Sequence, residues 1–224
     1  LLGTAPHHYL YILLRSQHPP RTFPSRVPST LQPALQRLVA PWSGLVNFMY
    51  TTDLPAPQTA LTGPPLDLQE PNPEETYEAF AYAPGRAPLH LPRRYDGPIH
   101  LYVCTHGARD CRCGDVGGDV ADALRNCATS ARTRTPGGIW DRVVVGEVSH
   151  VGGHRHAANM LVFPHGEWLG GLQARDLGAG PRVLDRIVES TPSLFDGSEK
   201  NPLCPEHWRG RMGLSKADQL HLYE

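Results

Sequence analysis

Two short stretches of the sequence contain side chains that can bind metals or carry out thiol chemistry. The stretch CTHGARDCRCG, residues 104–114, holds three cysteines, and SHVGGHRHAANM, residues 149–160, holds two histidines separated by Val-Gly-Gly. Cys104 and Cys113 form a C-x8-C pair, and His150 and His154 form an H-x3-H pair. Thiolate and imidazole are both ligands of zinc and of iron–sulfur clusters, and a thiolate is also the nucleophile of disulfide exchange.

Both stretches follow segments that have the pattern of buried strands. Cys104 lies at the end of PIHLYVCTH, residues 98–106, and His150 ends DRVVVGEVSH, residues 141–150. In an open α/β sheet, ligands gather beyond the carboxyl ends of the strands. Cys113 then lies at the start of a helix, where backbone N–H groups favour a thiolate. Because the Gly-Gly pair allows a tight turn between the histidines, we expect the cysteine and histidine pairs to share one location.

Three kinds of chemistry are compatible with these residues. A structural Cys2His2 zinc site usually has its cysteines two to four residues apart, which this sequence does not. A thioredoxin-type dithiol site uses C-x-x-C, whereas the closest pair here is Cys111-Arg-Cys113. An iron–sulfur cluster with cysteines on one iron and histidines on the other has the ligand set of a Rieske centre, but Rieske loops each contain one Cys and one His close together. The residues alone leave all three open.

A resemblance to a known family comes from longer stretches. CTHGARDCRCG followed by SHVGGHRHAANMLVFPHGEWLG resembles the signature of the sucrase/ferredoxin-like family, whose members are thioredoxin-like ferredoxins. HWRGRMGLSKADQ, residues 207–219, is similar to the tail motif of that family, and YEAFAYAPGR, residues 77–86, also resembles it.

The resemblance implies a cofactor, a fold and a function. Carried over, the ligands of a [2Fe–2S] cluster are Cys104, Cys113, His150 and His154, with the two histidines on one iron. The fold would be α/β, with two thioredoxin-like lobes, each a mixed sheet flanked by helices. The function would be electron transfer to a redox partner protein, which favours a redox carrier over an enzyme with its own substrate. Cys111 departs from the family pattern. The alternatives to an electron-transfer protein are a zinc-stabilised interaction module or a thiol-disulfide oxidoreductase using Cys111 and Cys113.

Composition limits the classes of function. The 224 residues carry a net charge of −1, which gives no global field for nucleic acid, and no apolar run approaches the ~18 residues of a membrane helix. Five cysteines, an odd number, do not resemble a secreted disulfide framework. Members of the family that the sequence resembles occur in the cytosol and in mitochondria, so we expect a cytoplasmic or mitochondrial protein. Four arginines precede the first acidic residue, Asp53, as in a mitochondrial presequence. Strand-like segments there favour a folded region, and the chain starts without Met, so we expect an upstream piece.

The resemblance implies two lobes with the cluster in the second, and the order of elements indicates which residues would form each. Residues 1–97 form an N-terminal lobe without a cluster, with strands at 9–14, 44–50 and 76–83, a helix at 29–39 and a Pro-rich linker at 54–75. Residues 98–224 form the cluster domain, with strands at 98–106 and 141–150, a hairpin at 158–172, a helix at 180–190 and a tail at 191–224. Between its first two strands we predict a helix from Asp115, with Val116, Val120, Leu124 and Cys127 on one face, and then a polar loop at 128–138.

Overall fold

The computed structural model describes residues 1–53, 77–81, 97–177, 183–190 and 201–222 and has a mixed α/β fold. Its strands form one eight-stranded sheet in the order β3-β1-β2-β5-β4-β6-β7-β8. The strands are β1 Leu10–Arg15, β2 Gly44–Thr51, β3 Tyr77–Ala81, β4 Ile99–Cys104, β5 Val143–Val148, β6 Met160–Phe163, β7 Glu167–Leu169 and β8 Trp208–Arg211. The α-helices are α1 Leu31–Val39, α2 Cys111–Arg134, α3 Val183–Ser190 and α4 Lys216–His221.

The sheet contains two β-α-β units that meet edge to edge. β1 and β2 are parallel and are joined by α1, and β4 and β5 are parallel and are joined by α2. Each unit continues with antiparallel strands on its outer side, β3 in the first and β6 to β8 in the second. The units join where Met49, Tyr50 and Thr51 of β2 pair antiparallel with residues 146–148 of β5. Residues on both sides of the predicted boundary at 97/98 therefore belong to one sheet.

Apolar side chains on the two faces of β4 pack into different clusters. Leu101 and Val103 contact a cluster built with Leu124 of α2 and Ile187 of α3, whereas Tyr102 and Cys104 lie among Tyr11, Met49 and Trp168 from both units. This alternation follows from the two-residue period of a strand. Because both faces of β4 are covered, all six of its residues are buried, Cys104 included.

Most of the elements predicted from the pattern of residues are confirmed, with boundaries shifted by a few positions. The strands at 9–14, 44–50, 76–83, 98–106 and 141–150 and the helices at 29–39 and 180–190 are present, and the hairpin at 158–172 turns at residues 164–166. The predicted linker 54–75 lies outside the described residues, as does part of the tail. No helix in the part of the chain that is described combines the length and the apolar character needed to cross a bilayer.

The helix between β4 and β5 is longer than predicted at both ends. It begins at Cys111 instead of Asp115, because the Asp110 side chain accepts a hydrogen bond from the Arg112 backbone N–H, 3.1 Å away, and caps it. The polar loop predicted at 128–138 is wrong over residues 128–134, where the helix continues. Ala128 and Ala131 are buried there, so the inward face consists of small side chains that an apolar pattern does not reveal.

Candidate metal centre

Cys104 is the last residue of β4 and is fully buried. It lies opposite Val148 in the parallel β4–β5 pair, so the chain leaves both strands at the same edge of the sheet. Its backbone N–H donates to the carbonyl of Asn159 at 2.9 Å. The predicted placement of Cys104 and His150 beyond the carboxyl ends of neighbouring strands is confirmed, since His150 lies two residues after β5.

Cys113 lies in the first turn of α2, and its side chain is buried. The helix approaches the end of β4 closely at Gly117, where a Cβ atom would lie 2.1 Å from the Cys104 carbonyl oxygen. Gly114 makes a similar approach, since a Cβ there would lie 2.7 Å from the Gly107 Cα. These glycines allow the helix to come near enough for its first turn to present Cys113 beside Cys104.

Three of the four predicted ligands come together. One ligand atom each from Cys104, Cys113 and His150 lies within 4.8 Å of the others, and Cys113 Sγ is 3.9 Å from His150 Nδ1. The five cysteines, all within the described residues, form no disulfide. Two thiols and an imidazole at this separation form a soft donor set of the kind that binds iron or zinc.

The two thiols influence each other's ionisation. A hydrogen bond from Cys113 lowers the pKa of Cys104 well below its usual value, against the opposing effect of burial. The same bond raises the pKa of Cys113, and burial raises it further. Cys104 is therefore the more acidic thiol of the pair, and Cys113 holds its proton more tightly. A metal that binds both sulfurs displaces their protons.

His154 lies beside this group but is not part of it. Its ring stacks on that of His150, with centroids 5.8 Å apart and planes at 28°. The side chain is 48% exposed, and its Nδ1 lies 3.7 Å from Asp110 Oδ2, at the cap of α2. The structure thus places the fourth predicted ligand at the entrance to the site, facing a carboxylate.

The loop between the two histidines has a backbone that only glycine adopts readily. Gly152 and Gly153 have φ values of 82° and 67°, in the left-handed region. A Cβ atom on Gly153 would also lie 2.3 Å from Nη2 of Arg209. The predicted role of the Gly-Gly pair as a tight turn is therefore confirmed, and Arg209 adds a second reason for glycine at position 153.

Other candidate residues do not join the ligand group. His106 accepts a hydrogen bond from the His150 backbone N–H at 3.4 Å, and its Nε2 lies 2.9 Å from the Pro24 carbonyl, so it supports the histidine loop. Cys127 contacts the Leu177 carbonyl at 3.1 Å. Cys204 is buried in the cluster that packs around α2, and Cys111 is exposed at the first position of that helix.

A cavity of 420 Å³ opens beside His150. Residues of the N-terminal segment form one wall, and the loops after β4 and β5 form the other. The charged residues that line it are Arg26 and Arg109, and the full lining is Ser25, Arg26, Val27, Ser29, Gln32, Pro33, Asn47, Phe48, His106, Arg109, Ser149 and His150. Among the described residues, the side chains that line this cavity beside His150 include positive charges and no acidic group.

Sequence reasoning did not identify several residues that hold the site. Asn47 of β2 donates to the His150 carbonyl at 3.3 Å, and its side-chain oxygen accepts a hydrogen bond from Ser149. Arg209 of β8 lies against the histidine loop. Asn47 and Arg209 are distant in sequence from the Cys and His pairs. The one sequence feature that could have indicated Arg209 is its position within the tail motif.

Comparisons with known proteins give the family. The model of the family described as sucrase/ferredoxin-like matches residues 3–210. Curated relatives include Altered inheritance of mitochondria protein 32 from Meyerozyma guilliermondii, 33% identical over 43% of this chain, and from Eremothecium gossypii, 34% identical over 49% of it. The matched regions cover 32% and 31% of those proteins, so the chain spans about a third of their length. No solved structure matches the chain. The chain belongs to the sucrase/ferredoxin-like family.

Proposed function

We propose that this protein is an electron-transfer protein whose candidate metal centre holds a [2Fe–2S] cluster. The observation that carries the proposal is the convergence of Cys104, Cys113 and His150 within 4.8 Å at the edge where β4 and β5 end. The bound cluster supplies the chemistry by taking up and releasing one electron, and the protein supplies the ligands, the burial and the charges around them.

In this proposal the four residues form two pairs. Cys104 and Cys113 would bind one iron as thiolates, and His150 and His154 would bind the other as neutral imidazoles. His154 is exposed and follows a glycine turn, and to bind the iron its side chain would have to rotate away from Asp110. Because an imidazole brings less negative charge than a thiolate, the potential should lie above that of an all-cysteine cluster.

We further propose that the two β-α-β units are two thioredoxin-like lobes, with the cluster in the second. In support, each unit has a parallel pair of strands joined by a helix, with antiparallel strands added on its outer side. The two units differ at the carboxyl edge, since the four proposed ligands all belong to the second.

A redox partner protein is proposed to approach at the exposed His154 and the cavity beside His150. The described residues that line the cavity include Arg26 and Arg109 and no acidic residue, so we propose that the partner presents acidic groups there. The relatives' name refers to the inheritance of mitochondria; for this chain we propose a mitochondrial or cytoplasmic location.

The deciding experiment is anaerobic purification followed by an optical spectrum, an EPR spectrum of the reduced protein, and counts of iron and acid-labile sulfide. We expect two irons and two sulfides per chain, as a [2Fe–2S] cluster has. Cys104→Ser and Cys113→Ser should abolish the colour, whereas the control Cys127→Ser should retain it, because Cys127 lies outside the site. His150→Cys or His154→Cys should keep a cluster of lower potential.

The same preparation separates the proposal from its two alternatives. A colourless, folded protein with bound zinc and no iron would support a zinc-stabilised interaction module instead. A metal-free protein with disulfide-exchange activity that depends on Cys111 would support a thiol-disulfide oxidoreductase. Cys111→Ser should leave the cluster in place, because the Cys111 side chain is exposed and lies outside the group of three ligands.

A further inference from the structure

Arg209 is a buried cation, and no carboxylate of the described residues pairs with it. The residue is 2% exposed, and its guanidinium donates to Thr4 Oγ1 at 3.1 Å, the Thr4 carbonyl at 2.9 Å and Asn159 Oδ1 at 2.8 Å. All of these acceptors are neutral, and within the described residues no carboxylate lies within 4.0 Å of it. Burial lowers the pKa of Arg209 to about 10, so the side chain is still a cation at neutral pH.

The guanidinium lies against the loop that joins the two histidines. Its Nη1 is 3.4 Å from the Gly152 carbonyl oxygen, and Gly153 packs so closely on Nη2 that a Cβ atom there would lie at 2.3 Å. Asn159 extends the contact. Its side-chain amide donates to the Gly153 carbonyl at 3.2 Å, and its backbone carbonyl accepts a hydrogen bond from the Cys104 backbone N–H at 2.9 Å. Arg209 is therefore linked directly to the histidine loop and, through Asn159, to the backbone of Cys104.

An unpaired charge in a protein interior is unfavourable unless another charge compensates for it. Negative charge at Cys104 acts favourably on Arg209, because it raises the pKa of the guanidinium against the effect of burial. A cluster with two thiolates and two neutral imidazoles is neutral when oxidised, and reduction adds one negative charge. A fixed cation nearby stabilises the reduced form more than the oxidised form.

We propose that Arg209 is a positioning residue of this centre, whose buried charge raises the reduction potential and whose hydrogen bonds hold the histidine loop. This inference rests on the proposed function. The electron comes from the redox partner, or from dithionite in the test. Arg209 itself is neither oxidised nor reduced, and no proton needs to leave it.

The test compares midpoint potentials of the full chain, loaded with its cluster. Replacing the charge in Arg209→Gln should lower the equilibrium constant for reduction about tenfold, which is ~59 mV for one electron. Arg209→Lys should have a reduction potential close to that of the wild type, because lysine keeps the positive charge. The control is Arg155→Gln, which removes an exposed cation from the same loop and should change the potential much less, because solvent screens it.

A second pair of variants keeps the Arg209 guanidinium and differs only in whether a negative charge lies beside it. Thr4→Asp places a carboxylate beside Arg209 Nε, whereas Thr4→Asn has nearly the same shape and no charge. The Asp variant should have the lower potential of the two, so this pair decides the matter if Arg209→Gln does not fold.

Iron and sulfide counts on the wild type come first, and their failure would refute the proposed function. A loaded wild type whose potential does not change in Arg209→Gln, or whose Thr4→Asp and Thr4→Asn variants have equal potentials, would refute the inference alone.

Discussion

The close approach of α2 to β4 makes Gly117 the most stringent test of how the centre is built. An alanine there would bring its Cβ to 2.1 Å from the Cys104 carbonyl oxygen and 3.2 Å from the carbonyl carbon. Ordinary contact begins at 3.4 Å, so the helix and the strand end must separate by about 1 Å. The oxygen belongs to the backbone of a strand buried on both faces, so it cannot move aside as a flexible side chain would.

The cost of this separation can be compared with the gain from alanine. In a helix interior, alanine is favoured over glycine by about 1 kcal/mol. Overpacking of a tight interface costs about 1–3 kcal/mol, and here it also displaces Cys113, four residues away on the same helix. Gly118→Ala provides the matched control, because a Cβ at Gly118 meets nothing within 4 Å. We expect Gly118→Ala to stabilise the protein by up to about 1 kcal/mol and Gly117→Ala to destabilise it by up to about 2 kcal/mol.

Urea unfolding of the reduced, cluster-free protein measures the stability difference, and iron content after anaerobic loading measures the effect on the site. Gly117→Ala should bind less iron than Gly118→Ala at equal protein concentration. If the two variants had the same free energy of unfolding within about 0.5 kcal/mol, the close contact between helix and strand would be refuted as the feature that positions the cysteines.

Three other predictions concern the supports around the centre. Arg21 donates to the buried Glu147 at 2.8 Å and 3.0 Å, so Arg21→Met should lower the free energy of unfolding by about 1–2 kcal/mol in urea titrations, with Arg125 left as a partner. Burial raises the pKa of Glu147, but hydrogen bonds from Arg21, Thr105 and Arg125 outweigh this effect and leave the pKa below 4.5. The stability that these hydrogen bonds provide should be present above pH 4.5 and be lost as the pH falls through the folded-state pKa. Glu147→Gln should remove this pH dependence. Burial lowers the pKa of His8 from 6.5 to about 4, so stability should be full above pH 6.5 and fall by up to about 3 kcal/mol towards pH 4, and the curve should be flatter in His8→Phe.

Much of the fold could be predicted from the sequence because its strands have simple patterns. The runs at 98–106 and 141–150 are apolar and rich in β-branched residues, and both are buried strands as predicted. The last part of α2, residues 128–134, was missed because its buried side chains are alanines, while Thr129, Ser130 and Thr133 give a polar average. In the structure this face is covered by neighbouring segments, which a reading of one segment at a time cannot include.

The ligands of the candidate site could be predicted from the sequence better than the residues that position them. Cys104, Cys113 and His150 could be placed together because strand ends in a parallel pair share an edge. The direction of His154 towards Asp110 depends on the cap of α2, whose start was placed four residues too late. Arg209 lies fifty residues or more after the ligands, and its contacts with Thr4 and Gly153 exist only after the tail strand has joined the sheet.

The residues that hold the centre come from three parts of the chain, although the four proposed ligands lie within residues 104–154. Asn47 of the first unit fixes the His150 backbone, Arg209 of the tail fixes the loop before His154, and α2 brings Cys113 to Cys104. An ion or cluster that needs ligands at defined positions gains from such supports, because ligand side chains held in place lose less entropy on binding. The geometry of the centre therefore depends on the pairing of β2 with β5 and of β7 with β8 as much as on the ligand motif itself.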